Sequence, residues 1–270
     1  MNRYPIYIVS KDRAEICTTH KILDFSGITW SYAVEPQDYE KYVERFGENY
    51  VVNIGENDKG IYYVRNFCIE HSKNAGHKKH WQVDDDLKKI FYRAMQEKGT
   101  RSREEIDNPG TMLKNIEDYT DDFSNFGAGC LTHDGFAFAK KLDIDLNKMI
   151  YCFQLMNNNV KARYQPHTSE DVDFSVNMLR EKWVTMVFNQ FSFTTPKSGS
   201  IQGGCNSSVD YQNKGRKLRN LKLCETFPQW FKEYTHKKTG LSEIKPSKIW
   251  RYFKQKPEQI KNSEIDVTEH

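Results

Sequence analysis

Closely spaced cysteines are missing from the 270-residue chain: Cys17, Cys68, Cys130, Cys152, Cys205 and Cys224 stand far apart, with no C-x-x-C pair. That argues against a zinc site and fits reduced thiols of a cytosolic protein that serve as core residues rather than nucleophiles. Long apolar runs are missing too, and none approaches the ~20 residues of a membrane span. Met1-Asn2-Arg3-Tyr4-Pro5 leads into a strand-like run without the apolar core of a signal peptide, so the sequence predicts a soluble, unsecreted, cytoplasmic protein with no membrane partner. Neither G-x-G-x-x-G nor G-K-[ST] occurs. A dinucleotide fingerprint and a P-loop are therefore unsupported.

Net charge is small, +3, but uneven. Tyr211 to Lys261 carries 14 Lys/Arg against 4 Asp/Glu, so the remainder of the chain is net negative. The same tail holds Tyr211, Phe227, Trp230, Phe231, Tyr234, Trp250, Tyr252 and Phe253. Cations interleaved with aromatics suit phosphate contact with base stacking; an amphipathic helical tail with its aromatics on the core reads equally well. The chain divides accordingly into a domain over 1–210 and a basic aromatic extension over 211–270, packed on it and a candidate for acceptor binding.

The densest chemistry lies in Lys79-His80-Trp81-Gln82-Val83-Asp84-Asp85-Asp86. Three adjacent carboxylates repel one another unless a cation is present, and hard Mg²⁺ or Mn²⁺ takes oxygen ligands. In extended chain Asp84 and Asp86 point the same way, leaving Asp85 for a hydroxyl or backbone amide. Mg²⁺ held by few carboxylates fills its shell with water and phosphates, so a nucleotide is the expected companion. A solvated acidic turn is the plainer alternative.

Strand-like runs at Tyr4–Ser10, Ile28–Glu35 and Val51–Ile54 alternate with helical stretches over Ala14–Leu23, Asp38–Phe46 and Ile61–Lys73, and the aspartates close a fourth strand. This is the pattern of a wound α/β sheet. Arg93–Phe126 reads as a polar interlude with a short helix from Met112 to Tyr119, either a lid or a helical insertion. Phe126-Gly127-Ala128-Gly129-Cys130 reads as a glycine-bracketed strand edge, suited to ligand approach or to a tight packing bend. Met149–Met156 is expected to be a central strand, and Trp183–Phe188 and Phe191–Phe193 late ones. Thr168–Phe174 opens a helix with Ser169 as N-cap. Ser198–Ser208 is small and polar, an acceptor-side loop or a flexible one.

In order and spacing, Ser10-Lys11-x-Arg13, Val34-Glu35-Pro36, Asn57-Asp58-x-Gly60-Ile61, Arg65-Asn66 and Trp81 to Asp86 resemble GT-A glycosyltransferases with a D-x-D motif. More narrowly they resemble the TET-associated, phage-type enzymes that place sugars on hydroxymethylated pyrimidines in DNA. The likeness is densest over the first ninety residues and resumes at Ser169 to Phe174.

The resemblance implies a GT-A fold, a Rossmann-like, mixed but mostly parallel sheet flanked by helices, with a basic helical C-terminal extension. It implies a metal-dependent transfer of a hexose or pentose from a UDP-sugar to the hydroxyl of 5-hydroxymethylcytosine, or a related base, in DNA. A phage-encoded copy would act in the bacterial host cytoplasm. Asp84 and Asp86 would hold Mn²⁺ or Mg²⁺ against the donor diphosphate, which Asp84 also meets, and Ser10, Lys11, Arg13 and Glu35 would line the nucleoside pocket. Asn57, Asp58 and Arg65 would face the ribose or diphosphate. Asp171 would face the anomeric centre or acceptor hydroxyl, with Glu170 and Asp173 as substitutes. His236 is the candidate for a further C-terminal metal ligand, otherwise a solvated histidine. A glycan or protein acceptor is the alternative, and a metal-dependent nuclease or phosphoesterase built on the same carboxylates is the second.

Overall fold

The computed structural model describes residues 3–25, 27–97, 99–197, 200, 202–204, 213–246 and 249–260. Cys205, Tyr211, His270 and most of the Ser198–Ser208 loop lie outside that set.

The first half of the chain alternates β1 (Ile6–Val9), α1 (Thr19–Leu23), β2 (Trp30–Val34), α2 (Pro36–Phe46), β3 (Val51–Asn53), α3 (Ile61–Asn74) and β4 (Lys79–Asp84). β1 and most of β2 are buried residue after residue, as strands covered on both faces must be. Pro36 starts α2, where its missing N–H costs nothing. Gly47 ends that helix at φ +90°, a conformation that favours glycine.

There follow β5 (Lys89–Tyr92), β6 (Glu104–Glu105), α4 (Gly110–Asp121), β7 (Phe126–His133), α5 (Asp134–Ala137), β8 (Ile144–Leu146), β9 (Gln154–Asn157), α6 (Glu170–Arg180) and β10 (Val184–Thr194). Strands β1 to β10 join one sheet in the order β3-β2-β1-β4-β9-β7-β10-β5-β6, with β8 on β10. β1, β2, β3 and β4 run parallel. β9 is antiparallel to both β4 and β7, and β5 antiparallel to β10. The expected α/β sheet flanked by helices is present, parallel through its first four strands and mixed beyond them.

Sheet growth reverses direction at β1, since β2 and β3 lie to one side and β4 to the other. The register pairs Val9 with Asp84. The loop after β1 and the aspartates after β4 therefore emerge side by side at the carboxyl end of the sheet, the crevice where open α/β sheets bind ligands.

Several expectations change. Ala14–Leu23 is helical only from Thr19, because Thr18 and Thr19 are drawn onto the aspartate turn. The glycine-bracketed segment is the interior strand β7 rather than an edge: a Cβ at Gly127 would lie 2.6 Å from Met178 Sδ and Trp183 Cβ, and one at Gly129 2.7 Å from Phe188 Cε2. These glycines admit neighbouring side chains. The two late strands expected at Trp183–Phe188 and Phe191–Phe193 are one long strand, Val184–Thr194, and the Met149–Met156 strand shortens to β9. Part of the polar interlude is pinned to the sheet, with Arg101 donating to Arg93 O at 2.7 Å and pairing with Asp143 at 2.8 Å.

The extension is only partly helical: α7 (Asn213–Thr226) is followed by a hairpin of β11 (Phe231–Thr235) and β12 (Ser242–Pro246) and by α8 (Ile249–Tyr252). Leu223, Phe227, Phe231, Ile249 and Phe253 pack against Val176 and Leu179 of α6. Those tail aromatics belong to the core, while Tyr252 stays 66% exposed.

Candidate functional site

On β4 the side chains alternate between faces. Trp81 donates to Glu117 Oε1 at 2.8 Å on the α4 side. His80, Gln82 and Asp84 face α3, which supplies Arg65. There a buried polar chain leads to the strand end: His80 Nδ1 contacts Asn158 Oδ1 at 2.6 Å, Gln82 Nε2 contacts His80 Nε2 at 2.8 Å and donates to Arg65 O at 2.9 Å. Burial pushes the His80 imidazolium pKa down to about 3, so the ring is neutral and its unprotonated Nε2 accepts from Gln82. Arg65, 3% exposed, then places Nη2 3.1 Å from Asp84 Oδ1.

The three aspartates take separate roles. Asp85 turns inward to a hydroxyl, as the spacing predicts, accepting from Ser10 Oγ and from Arg13 Nη1 at 2.7 Å. Its carbonyl accepts from Thr18 N and Thr19 N, and Thr19 Oγ1 donates to Asp84 O at 2.6 Å. The short α1 is thus a splint for the turn. Asp86 keeps a side chain 25% exposed, 3.9 Å from Arg13. Burial, then Asp84 and Asp85, push its pKa up to about 6. The neighbouring carboxylates crowd it, and Arg13 offsets them only in part.

On the other side of β1 from β4, past the ends of β1 and β2, lies a second polar cluster. Lys11 Nζ sits 2.9 Å from Glu35 Oε2 and 2.5 Å from Asp58 Oδ1, and Asn57 Oδ1 accepts from Gln37 N at 3.0 Å. Glu35 is 2% exposed, a buried carboxylate held by a lysine at the mouth of β2. Arg13 also donates to Gln202 O and Gly203 O, and Gly204 N donates to Lys11 O. The late 202–204 segment thereby closes over the loop after β1. Ser10 is spent on Tyr42 and Asp85.

Asp171, in the first turn of α6, faces the same crevice. Its Oδ1 is buried without a hydrogen bond, as is Arg65 Nε. Burial pushes its pKa up to about 7; Arg65 opposes the rise, and Glu170 and Asp84 add to it. The neighbouring acids are engaged elsewhere: Glu170 lies 3.4 Å from Arg219, and Asp173 accepts from Asn177 at 3.2 Å. Ser169 occupies the expected N-cap position, but its hydroxyl donates to Asn220 Oδ1 instead of capping.

Cys152 and Tyr164 complete the wall and were not foreseen from sequence. Cys152 holds φ +52°, and burial beside Asp84 and Asp171 pushes its thiol pKa well up. Tyr164 stacks on Phe174 at 4.0 Å between centroids and lies under the Arg65 guanidinium at 5.6 Å. Neither carries a local motif.

His236 sits where the β11–β12 hairpin turns, its Nδ1 3.2 Å from Thr239 Oγ1. Among the described residues no group of three or more His, Cys, Asp or Glu side chains is arranged to hold a metal. Asp84, Asp86 and His236 are therefore not a preformed three-ligand set. The two carboxylates do fit a hard divalent cation as a partial set, since both are oxygen donors, partly exposed, and crowded enough to raise Asp86.

Paired carboxylates and flanking arginines thus gather at a topological switch, with a third carboxylate facing them. The profile of the TET-Associated Glycosyltransferase family matches residues 4–204, and the chain belongs to that family. It is a glycosyltransferase. No curated protein matches it. Among the described residues no helix is long and apolar enough to cross a membrane, and five described cysteines are free.

Proposed function

We propose that the enzyme moves a sugar from a UDP-sugar to the hydroxyl of 5-hydroxymethylcytosine, or a related pyrimidine, in DNA, using Mn²⁺ or Mg²⁺. The observation that carries this reading is Asp171, an unpartnered buried carboxylate oxygen beside Arg65 and Asp84 at the carboxyl end of the sheet. Lys11, Glu35, Asn57 and Asp58 are assigned to the nucleoside and ribose, with Arg13 and Arg65 toward the diphosphate. Ser10 acts there through Asp85.

A divalent cation bound by Asp84 and Asp86 would neutralise charge developing on the leaving diphosphate. Asp171 Oδ1 takes the proton from the acceptor hydroxyl, and a pKa near the working pH suits a general base. Arg65 holds Asp84 and limits the rise at Asp171. Phage origin and DNA as acceptor draw on the family resemblance and on the basic extension, whose lysines and arginines meet phosphates while its buried aromatics hold it to α6. The extension over 211–270 is accordingly assigned to acceptor binding.

The test is a panel of UDP-sugars with Mn²⁺, mixed with hydroxymethylcytosine DNA or unmodified DNA, read by thermal shift and mass spectrometry. A hexose or pentose mass on modified DNA only is the expected result. Stabilisation by UDP with no added mass moves the acceptor to glycan or protein. Absence of any response to UDP with metal overturns the donor assignment.

A further inference from the structure

A cleft of about 370 Å³ lies between the start of α6, the first half of α7 and β12, lined by Ser169, Arg216, Arg219, Asn220, Ser242 and Glu243. It adjoins the carboxylate site without sharing its ligands. Arg219 Nη1 is 3.4 Å from Glu170 Oε2, and its charge reaches Asp171. Asp171 is thus within electrostatic reach of Asp84 at the strand end and of an arginine in this cleft.

The cleft is built on a rigid polar frame. Asn220, 6% exposed, donates to Ser242 Oγ at 3.1 Å and accepts from Ser169 Oγ at 3.2 Å, and Ser242 donates to Glu233 at 2.7 Å. These bonds tie α6, α7 and β12 together. Arg216 and Arg219 are three residues apart on α7 and so share a face. Among the described residues no carboxylate pairs with Arg216. Guanidinium forks match phosphate oxygens in geometry as well as charge, while the hydroxyls and amide around them are engaged in the frame that holds the two arginines at the cleft. The exposed side of the helix continues with Lys217 and Lys222.

We propose that this cleft holds a backbone phosphodiester of the acceptor strand beside the nucleotide being modified. The assignment rests on DNA being the acceptor. It makes Arg216 and Arg219 register-setting contacts, since phosphate contacts position a duplex without reading its sequence.

The test pairs Arg216→Gln with hydroxymethylcytosine oligonucleotides in which each phosphate near the modified base is replaced in turn by an uncharged methylphosphonate. In the parent enzyme one replacement should weaken binding by about tenfold, and Arg216→Gln should weaken the unmodified-backbone oligonucleotide similarly and reduce the salt slope by about one. In Arg216→Gln that same replacement should cost nothing further. UDP-sugar hydrolysis in the absence of acceptor should be unchanged, which reports folding and the donor site. Lys41→Gln, exposed on α2 and outside the extension, should keep the phosphate dependence. Equal losses in parent and variant at every phosphate would overturn the cleft assignment alone. A parent enzyme that transfers sugar to another acceptor but neither binds nor modifies the oligonucleotide would overturn the DNA reading and this assignment with it.

Discussion

Arg65 Nη2 lies 3.1 Å from Asp84 Oδ1, and the same buried guanidinium is the strongest opposing influence on the raised pKa of Asp171. One cation therefore serves a carboxylate at the end of β4 and another at the start of α6, joining two elements that are far apart in sequence.

Arg65→Met is expected to lower stability by about 3 kcal/mol, because it leaves carboxylates in the crevice without their buried partner. Urea unfolding at pH 7.5 measures this. The loss should shrink at pH 5, where Asp171 protonates, and an equal loss at both pH values would contradict the shared-cation role.

Asp86→Asn and Asp85→Asn should separate function from structure. Asp86→Asn is expected to keep the fold and lower transfer by at least ~100-fold, the scale of removing a preorganised electrostatic group. Asp85→Asn should weaken the Ser10 and Arg13 contacts and lower Tm markedly. Calorimetry beside sugar-transfer rates distinguishes them; a destabilised Asp86→Asn would reassign that residue to the scaffold.

Without added metal, stability should fall as pH rises from about 4 to about 7. Asp86 and Asp171 hold their protons in the fold up to about 6 and about 7, well above their usual value of 3.8. The unfolded chain therefore binds fewer protons in that window, which gives stability a negative slope with pH. Tm against pH in EDTA reads the slope. Asp171→Asn should flatten its upper part and Mn²⁺ the part due to Asp86. The transfer rate should rise with pH around 7, as expected of a base, and a pH-independent rate would exclude Asp171 from proton removal.

Gly129→Ala is expected to cost about 1–3 kcal/mol through overpacking, since the added methyl meets the Phe188 ring at 2.7 Å. Denaturant midpoints measure it, and KM for donor should not change. A KM change without destabilisation would restore this strand to the ligand surface.

The four parallel strands, their helices and the carboxyl-end placement of the aspartates were legible in the sequence, because β-branched runs, Pro36, Gly47 and Gly60 act over a few residues. So was a hydroxyl as the partner of Asp85, although Asp85 and Asp86 lie in a turn past the end of β4 rather than in extended chain. Other features depend on contacts between distant segments. Thr18 stands outside the helix expected over Ala14–Leu23 and Thr19 only begins it, both bonded to the aspartate turn at Leu87 and Asp84, and the two late strands merge into Val184–Thr194 because β7, β5 and β8 all pair with it. Of the two readings the tail aromatics allowed, a stacking surface or packing on the core, Phe227, Phe231 and Phe253 take the second, with apolar partners on α6. Which of the three acids in α6 faces the crevice was settled by Arg219 and Asn177 engaging the other two. Local propensity and periodicity determined the elements and the residue types at the strand ends; burial and long-range pairing, which no short window contains, decided which side chains meet there.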